Sequence, residues 1–296
     1  MFEETRKLAG IASRGGRVPP IYLYFTFIIP GFAYSFIKSG HFNYVPFVLV
    51  SVAIMPLIAA TNLFDDYFDF LKGFDKPESP NARYRKHPIF YYRVSEYYLF
   101  KWAVVFSVIY LVFSFGISLR YGLILSLVAF VGFILGYGYT GPPIGYKYLG
   151  LGEVGVFFSA IAASEFISVA ATGHFYLSSI LFFIPFSLLI ALILFIGNFR
   201  DIEFDQKAGL NTLAVLLGRR KSELFFVVIF ALFYFISLVL YLLKVYSRFT
   251  PIIFITIPFA IYLSFRWTRK ESVNYERTAG PYLFGISMLL VALLVL

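Results

Sequence analysis

Polar residues in this chain are gathered into a few short stretches, and long, nearly uninterrupted apolar segments run between them. Nine such segments occupy about 19–38, 43–64, 95–116, 121–139, 153–172, 176–198, 222–243, 249–266 and 279–296. Each approaches the roughly 20 residues that a helix needs to cross a hydrocarbon core about 30 Å thick. The alternating segments of about ten residues that mark a membrane β-barrel are not their pattern. The polar breaks are short except near 65–94, 140–152 and 199–221. The expected fold class is therefore all-α: a polytopic membrane protein of nine transmembrane helices, with residues 1–296 forming a single membrane domain and no soluble domain attached. Pro30, Pro56, Pro185 and Pro258 are candidate kinks, which membrane helices tolerate. Gly136 and Gly138, flanking Tyr137, predict a close helix approach.

Composition agrees with that pattern. Of 296 residues, 60% are hydrophobic, 21% aromatic and only 14% charged, which excludes an ordinary soluble domain. Cysteine is absent, so disulfides, thiolate metal sites and iron–sulfur clusters are excluded. The stretch 1–20 is polar and shows no cleavable signal pattern. A net charge of +9 could point to nucleic acid, but the placement of the basic residues gives another account. With nine spans and a cytoplasmic N-terminus, every Lys and Arg falls on the cytoplasmic side except Lys38, Arg120, Lys244 and Arg248. The positive-inside rule then predicts N-in and C-out. Topology and an anionic leaflet account for the charge, and no nucleic-acid partner is implied.

Two acidic clusters interrupt this apolar chain at costly places. Asn62-Leu63-Phe64-Asp65-Asp66-Tyr67-Phe68-Asp69 closes the second run, and Asn198-Phe199-Arg200-Asp201-Ile202-Glu203-Phe204-Asp205 closes the sixth. In a helix, residues i and i+4 share a face, so Asp65 lies over Asp69 and Asp201 over Asp205, with Asn62 and Asn198 a turn before. Grouped carboxylates beside hydrocarbon need a compensating partner, and like charges at this spacing repel unless a cation intervenes. Hard oxygen ligands suit Mg²⁺, which keeps waters and takes one or two carboxylates plus substrate phosphates. Asp65, Asp66, Asp69, Asp201 and Asp205 are the candidate metal ligands. Around them stand Lys72, Lys147, Arg200 and Lys207, cations able to neutralise a leaving diphosphate. The aromatic-rich interior would hold a hydrocarbon tail, and Tyr139 and Tyr67 could stabilise developing positive charge on an allylic carbon. The predicted topology places both clusters toward the cytoplasm. Their spacing of 136 residues, Asp65 to Asp201, hints at an internal repeat.

At these residues the sequence resembles the UbiA superfamily of intramembrane prenyltransferases, and within it the MenA-like branch. Asn198-x-x-Asp201-x-x-x-Asp205-x-x-x-Gly209-x-x-Thr212-Leu213-Ala214-Val215-x-Leu217-Gly218 is similar to that branch's second motif. Tyr139-Thr140-Gly141-Pro142-Pro143 and Leu149-Gly150-Leu151-Gly152-Glu153 resemble its central loop. Asp65-Asp66-Tyr67-Phe68-Asp69 with Lys72-Gly73-x-Asp75 resembles its first motif, except that Asp65 stands where the family usually has Asn. The resemblance implies nine helices around a central cavity open to lipid, under a cytoplasmic cap, and transfer of a polyprenyl group from prenyl diphosphate with Mg²⁺ as cofactor. In the MenA-like branch the aromatic acceptor is 1,4-dihydroxy-2-naphthoate, on the route to menaquinone. Carried over by position, Asp65, Asp69, Asp201 and Asp205 bridge the metal, Asn62, Asp66 and Asn198 support them, Lys72, Lys147, Arg200 and Lys207 contact diphosphate, and Tyr139 contacts diphosphate or the allylic cation. Asp75 acts on the acceptor or orders the cap.

Other readings stay open at this level. A related branch transfers prenyl groups to a glycerol-phosphate lipid. It usually carries a further Asp where this chain has Gly73, and an Arg-Pro-x-Arg-Pro run that is missing here. A cation-coupled transporter would place its acids near mid-span, whereas these lie at span ends. Glu165, inside the fifth run, either faces a cavity or hydrogen-bonds a neighbouring helix. The basic run Arg83-x-Arg85-Lys86-His87 points to anionic lipid or loop ordering. His41, His87 and His174 read as loop or interface residues whose spacing gives no metal site.

Overall fold

The computed structural model describes residues 21–79, 87–268 and 272–296, with side chains from residue 24 and excluding those at 265–278. The basic residues at positions 6, 7, 14, 17, 83, 85, 86, 269 and 270, on which part of the topology expectation rests, lie outside the described residues. Among the described residues the structure is entirely helical. Its α-helices are α1 (Ile21–Ser39), α2 (Tyr44–Leu71), α3 (Pro88–Tyr92), α4 (Glu96–Tyr121), α5 (Ile124–Gly138), α6 (Gly152–Thr172), α7 (Leu177–Ala208), α8 (Leu213–Leu242), α9 (Ile257–Thr268) and α10 (Ser272–Val295). Short 3₁₀ turns occupy Tyr146–Leu149 and Thr250–Thr256.

Each of the nine apolar runs coincides with helix, α3 being an added turn in the polar connection. Among the described residues five helices, α2, α4, α6, α7 and α8, are long and apolar enough to cross a membrane. The helices outrun the apolar segments in a way that matters for function. As the i, i+4 reading of the acids requires, α2 continues beyond residue 64 through Asp65, Asp66 and Asp69 to Leu71, and α7 continues past residue 198 through Asp201 and Asp205 to Ala208. The apolar run ends where the environment turns polar, whereas the helix ends where the backbone changes hand. Gly73 (φ +74°) follows α2 and Gly209 (φ +78°) caps α7, a conformation that costs other residues about 1–2 kcal/mol. Pro30, Pro56 and Pro185 lie inside α1, α2 and α7 without ending them.

Packing closes the bundle on itself. α2 packs on α4, α7 on α8, α1 and α5 on α6, and α10 on both α1 and α7, while α6 touches both α2 and α7. One buried cluster joins α7, α8, α9 and α10 around Phe182, Phe186, Phe195, Phe226 and Phe233, and a second joins α1, α2, α4, α5 and α6 around Ile28, Val50, Tyr110 and Phe166. Large apolar side chains stand exposed along the outer helices, such as Val108, Val112 and Phe115 on α4 and Leu224, Val228 and Phe235 on α8. So much exposed apolar surface is foreign to a soluble protein and suits contact with lipid.

Small residues permit the closest helix approaches, as Gly136 led us to expect. A Cβ on Gly136 would lie 2.6 Å from Thr61 Oγ1 on α2. On Gly31 of α1 it would lie 2.1 Å from the Ser164 carbonyl oxygen of α6, a backbone atom that cannot turn aside. Gly31→Ala should therefore lower the stability of the detergent-solubilised protein by about 1–3 kcal/mol, the usual cost of overpacking. Gly116→Ala, with nothing within 4 Å of the new Cβ, should be neutral or slightly stabilising. Thermal melts of the two variants compare these outcomes directly.

Candidate active site

The ends of α2 and α7 build the site in the same way. Beyond α2, Gly73 turns the chain so that the Phe74 and Asp75 backbone N–H groups both donate to the Asp69 carbonyl, at 2.9 and 3.3 Å. Beyond α7, Leu210 N–H donates to the Asp205 carbonyl at 2.8 Å, and Thr212 accepts from Val215 N–H at 3.4 Å to cap α8. Each turn brings its loop back over the acidic helix end. The result is a polar cavity of about 30 Å³ lined by Asp69, Phe74, Asp75, Ser79, Lys147, Asn198, Asp201, Phe204, Asp205, Leu210 and Thr212. That volume accommodates one or two occupants of water or ion size.

A third segment supplies the central cation. Tyr146 packs its ring where a Cβ on Gly155 would sit, 2.1 Å away, and its hydroxyl donates to the Leu135 carbonyl at 2.6 Å. With Lys147 N–H donating to the Tyr139 carbonyl at 2.9 Å, the turn is anchored on both sides, and the next side chain is delivered to α2. Lys147 Nζ donates to Asp65 Oδ1 at 2.6 Å and to Asp69 Oδ2 at 2.5 Å, all three groups being buried. Burial alone would lower the lysine pKa, but the two carboxylates outweigh it and hold the ammonium well above its ordinary value. The Tyr148 hydroxyl donates to Asp69 Oδ1 at 3.0 Å, and burial reinforced by the Asp69 charge raises its pKa, so it stays a donor. The Tyr139 ring centroid lies 5.4 Å from Lys147 Nζ, within cation–π range.

The structure brings together most of the residues singled out in the sequence. Asp69, Lys147, Asn198, Asp201 and Asp205 line one cavity, Asp65 joins them through Lys147, and Tyr139 stands beside the ammonium. Asp205 feels the charges of Asp201, Lys147, Asp69 and Asp75, so the two clusters form one electrostatic site. Others lie off the cavity wall. Lys72 is exposed, 4.7 Å over the Tyr148 ring, and Lys207 is exposed at the end of α7. Arg200 makes a two-pronged bond to its neighbour Asp201, at 2.7 and 2.6 Å. Asn62 is half-buried a turn before Asp66. Tyr67 turns toward α4, its ring 5.1 Å from Phe100. Glu165 accepts a hydrogen bond from Ser179 of α7, the neighbouring-helix alternative.

One expectation is corrected. His41 and His174 are exposed between helices, but His87 is buried to 2% exposure beside two carboxylates, Asp66 and Asp75. Sequence spacing hid this because the partners lie 12 and 21 residues away, across a chain reversal. Tyr148 and Glu153 also escaped the residue-level reading. Glu153 accepts from Asn198 Nδ2 at 2.9 Å and so ties α6 to the second cluster. Adjacency to Lys147 was the signal for Tyr148, and for Glu153 its place at the end of the central-loop motif, which named the residue but gave it no role.

The model of the UbiA prenyltransferase family matches residues 24–292. The chain belongs to that family. It is thus a prenyltransferase. UbiA prenyltransferase domain-containing protein 1 of Xenopus tropicalis is 28% identical over 265 residues, 86% of this chain and 75% of that protein. The 1,4-dihydroxy-2-naphthoate octaprenyltransferase of Bacillus subtilis is 30% identical over 211 residues, 67% of this chain and 63% of that one. Among solved structures, one of digeranylgeranylglyceryl phosphate synthase aligns over 100% of this chain and 98% of that chain, with a TM-score of 0.66 at 19% identity. A UbiA homolog from Archaeoglobus fulgidus bound to DMAPP and Mg²⁺ aligns over 92% and 93%, with a TM-score of 0.67 at 18% identity. These last two likenesses speak to the fold.

The buried ion triad generates a prediction independent of turnover. Lys147→Met leaves Asp65 and Asp69 facing each other without their ammonium, which should cost about 3–5 kcal/mol of stability. A melt of the metal-free variant in detergent should show a markedly lower midpoint than wild type, and an unchanged midpoint would contradict the assignment of the pair as a structural unit.

Proposed function

We propose that this UbiA-family prenyltransferase moves a polyprenyl group from a prenyl diphosphate to an aromatic acceptor, 1,4-dihydroxy-2-naphthoate, in a Mg²⁺-dependent reaction of menaquinone biosynthesis. The observation that carries the reading is the convergence of both acidic clusters on one cavity with Lys147 between them. A donor set of Asp69, Asp201 and Asp205 carboxylates with the Asn198 amide fits a hard cation that prefers oxygen ligands. The naphthoate acceptor is supported by the second motif around Asn198–Asp205 and by the likeness to the Bacillus subtilis enzyme. In the same reading, residues 1–296 form one membrane domain of nine spans, N-terminus in the cytoplasm, C-terminus outside, with the site toward the cytoplasm.

Bound Mg²⁺ would screen the diphosphate charge and make it a better leaving group. Asp65, Asp69, Asp201 and Asp205 are the carboxylates that would hold the Mg²⁺. Lys147, which already sits on two carboxylates, is within reach to exchange part of its bonding to phosphate oxygens as the bond between the prenyl carbon and oxygen breaks. Lys72, Arg200 and Lys207 lie off the cavity wall and add positive charge to the same end of the bundle, and Asn62 and Asp66 support the α2 cluster from within the helix. The Tyr139 face, beside the ammonium, can stabilise the allylic carbon as it becomes positive. The electron-rich ring carbon of the acceptor then forms the new carbon–carbon bond. The ring's carboxyl leaves as carbon dioxide, and diphosphate departs.

The glycerol-phosphate acceptor is the second reading, supported by the synthase fold likeness, and Gly73 argues against it at the position where that branch carries an acid. Purified protein in nanodiscs with Mg²⁺ and a prenyl diphosphate should release diphosphate with 1,4-dihydroxy-2-naphthoate and not with a glycerol-phosphate lipid. Asp69→Ala and Asp201→Ala should each reduce turnover about a hundredfold or more, the scale of losing a key electrostatic contact. Omission of Mg²⁺ should abolish it. Intact turnover in both variants would refute the site assignment, and solute transport without a covalent product would refute the reaction.

A further inference from the structure

Beside the acidic cavity, the most unusual feature is the buried group in which His87, so far without a role, meets Asp66 and Asp75, the possible ligand atoms of the three lying within 4.8 Å of one another. Exposures of 1%, 7% and 2% put all three inside the protein. Two carboxylates and an imidazole are a common set of metal donors, but the bonding of the imidazole argues otherwise. His87 Nδ1 accepts the Ile89 backbone N–H at 3.3 Å and caps α3. A ring nitrogen that accepts carries no proton, so in the neutral ring the proton is on Nε2. Nε2 is the nitrogen that faces the acids, 3.2 Å from Asp75 Oδ2 and 3.9 Å from Asp66 Oδ1. His87 therefore donates to Asp75, and that nitrogen has no lone pair to offer a metal.

Asp75 in turn lines the same cavity as Asp69, Asp201 and Asp205, and its charge acts on both Asp69 and Asp205. We propose that His87 is a positioning residue that fixes the Asp75 carboxylate at the wall of the acidic cavity, so that Asp75 acts as a further carboxylate of the cation site. The inference rests on reading that cavity as the cation site. The cap on α3 aims the ring, the ring aims the carboxylate, and Asp75 N–H, bonded to the Asp69 carbonyl at 3.3 Å, ties the group to the end of α2. A buried imidazole–carboxylate pair of this kind sets the orientation of a carboxylate that contacts metal, as outer-shell partners do elsewhere.

Two substitutions separate positioning from mere capping, because each keeps one half of the imidazole. His87→Asn keeps an acceptor near Nδ1 for Ile89 and loses the bond to Asp75. His87→Gln places an amide donor near Nε2 and loses the cap. The full-length protein in detergent is titrated with Mn²⁺ in the presence of inorganic diphosphate, bound ion being read by electron paramagnetic resonance, and melting is recorded alongside. His87→Asn should weaken Mn²⁺ binding about tenfold, within the range for outer-shell partners, at a melting midpoint close to wild type. His87→Gln should bind as wild type does. Asp75→Asn should match His87→Asn, and the double variant should be no weaker than either single one. Wild-type Mn²⁺ affinity in His87→Asn or Asp75→Asn, or a loss in His87→Gln equal to that in His87→Asn, would overturn the proposal. Wild-type protein that shows this Mn²⁺ pattern yet releases no diphosphate from prenyl diphosphate and acceptor would refute the proposed reaction while leaving the positioning role in place.

Discussion

Several carboxylates buried at the ends of long apolar helices must be compensated, and in this protein the first compensation is internal. Lys147, delivered by an anchored 3₁₀ turn, sits between Asp65 and Asp69 and keeps its charge because those two acids outweigh the cost of burial. Taking one charge from this group leaves another stranded in a medium that cannot solvate it. That constraint explains why the turn 146–149 is pinned by Tyr146 against Gly155, and why Tyr148 adds a hydrogen bond to Asp69. In the proposed reaction it would also prepare the chemistry, since an ammonium shared by two carboxylates can be shared with a phosphate at little reorganisation.

The remaining architecture places a second acidic helix end opposite this triad. α6 packs on both α2 and α7, and Glu153 at its first turn binds Asn198, so the element that spaces the two acidic helices also touches the second cluster. Glycines in the left-handed region after α2 and at the end of α7 return the chain over the helix ends. The cavity is therefore walled by loops whose course is set by two backbone positions. Close packing at Gly31 and Gly136 holds the helices at the spacing this needs.

Much of this was legible in the sequence because hydropathy and charge are one-dimensional signals. The nine apolar runs each overlap helix, and the i, i+4 acids of both clusters converge with Lys147, whose place in a long polar loop had put it among the candidate cations. Helix ends were less legible. The apolar runs end at about 64 and 198, yet α2 and α7 continue to Leu71 and Ala208, because polarity marks the membrane boundary and glycine marks the helix end. Side-chain direction was the least legible. Lys72, Arg200 and Lys207 are adjacent to the acids in sequence, but one stacks on Tyr148, one binds its own neighbour and one is exposed. His87 escaped because its burial follows from tertiary packing against residues distant in the chain.

The central claim is that two acidic clusters and Lys147 form one diphosphate site. A structure of the protein with Mg²⁺ and an unreactive prenyl thiodiphosphate tests it most directly. The account predicts the diphosphate between Asp69 on α2 and Asp201 and Asp205 on α7, with Lys147 Nζ moved from Asp65 or Asp69 onto a phosphate oxygen. A diphosphate bound elsewhere, or one held by a single cluster with the Lys147 pairing unchanged, would contradict it.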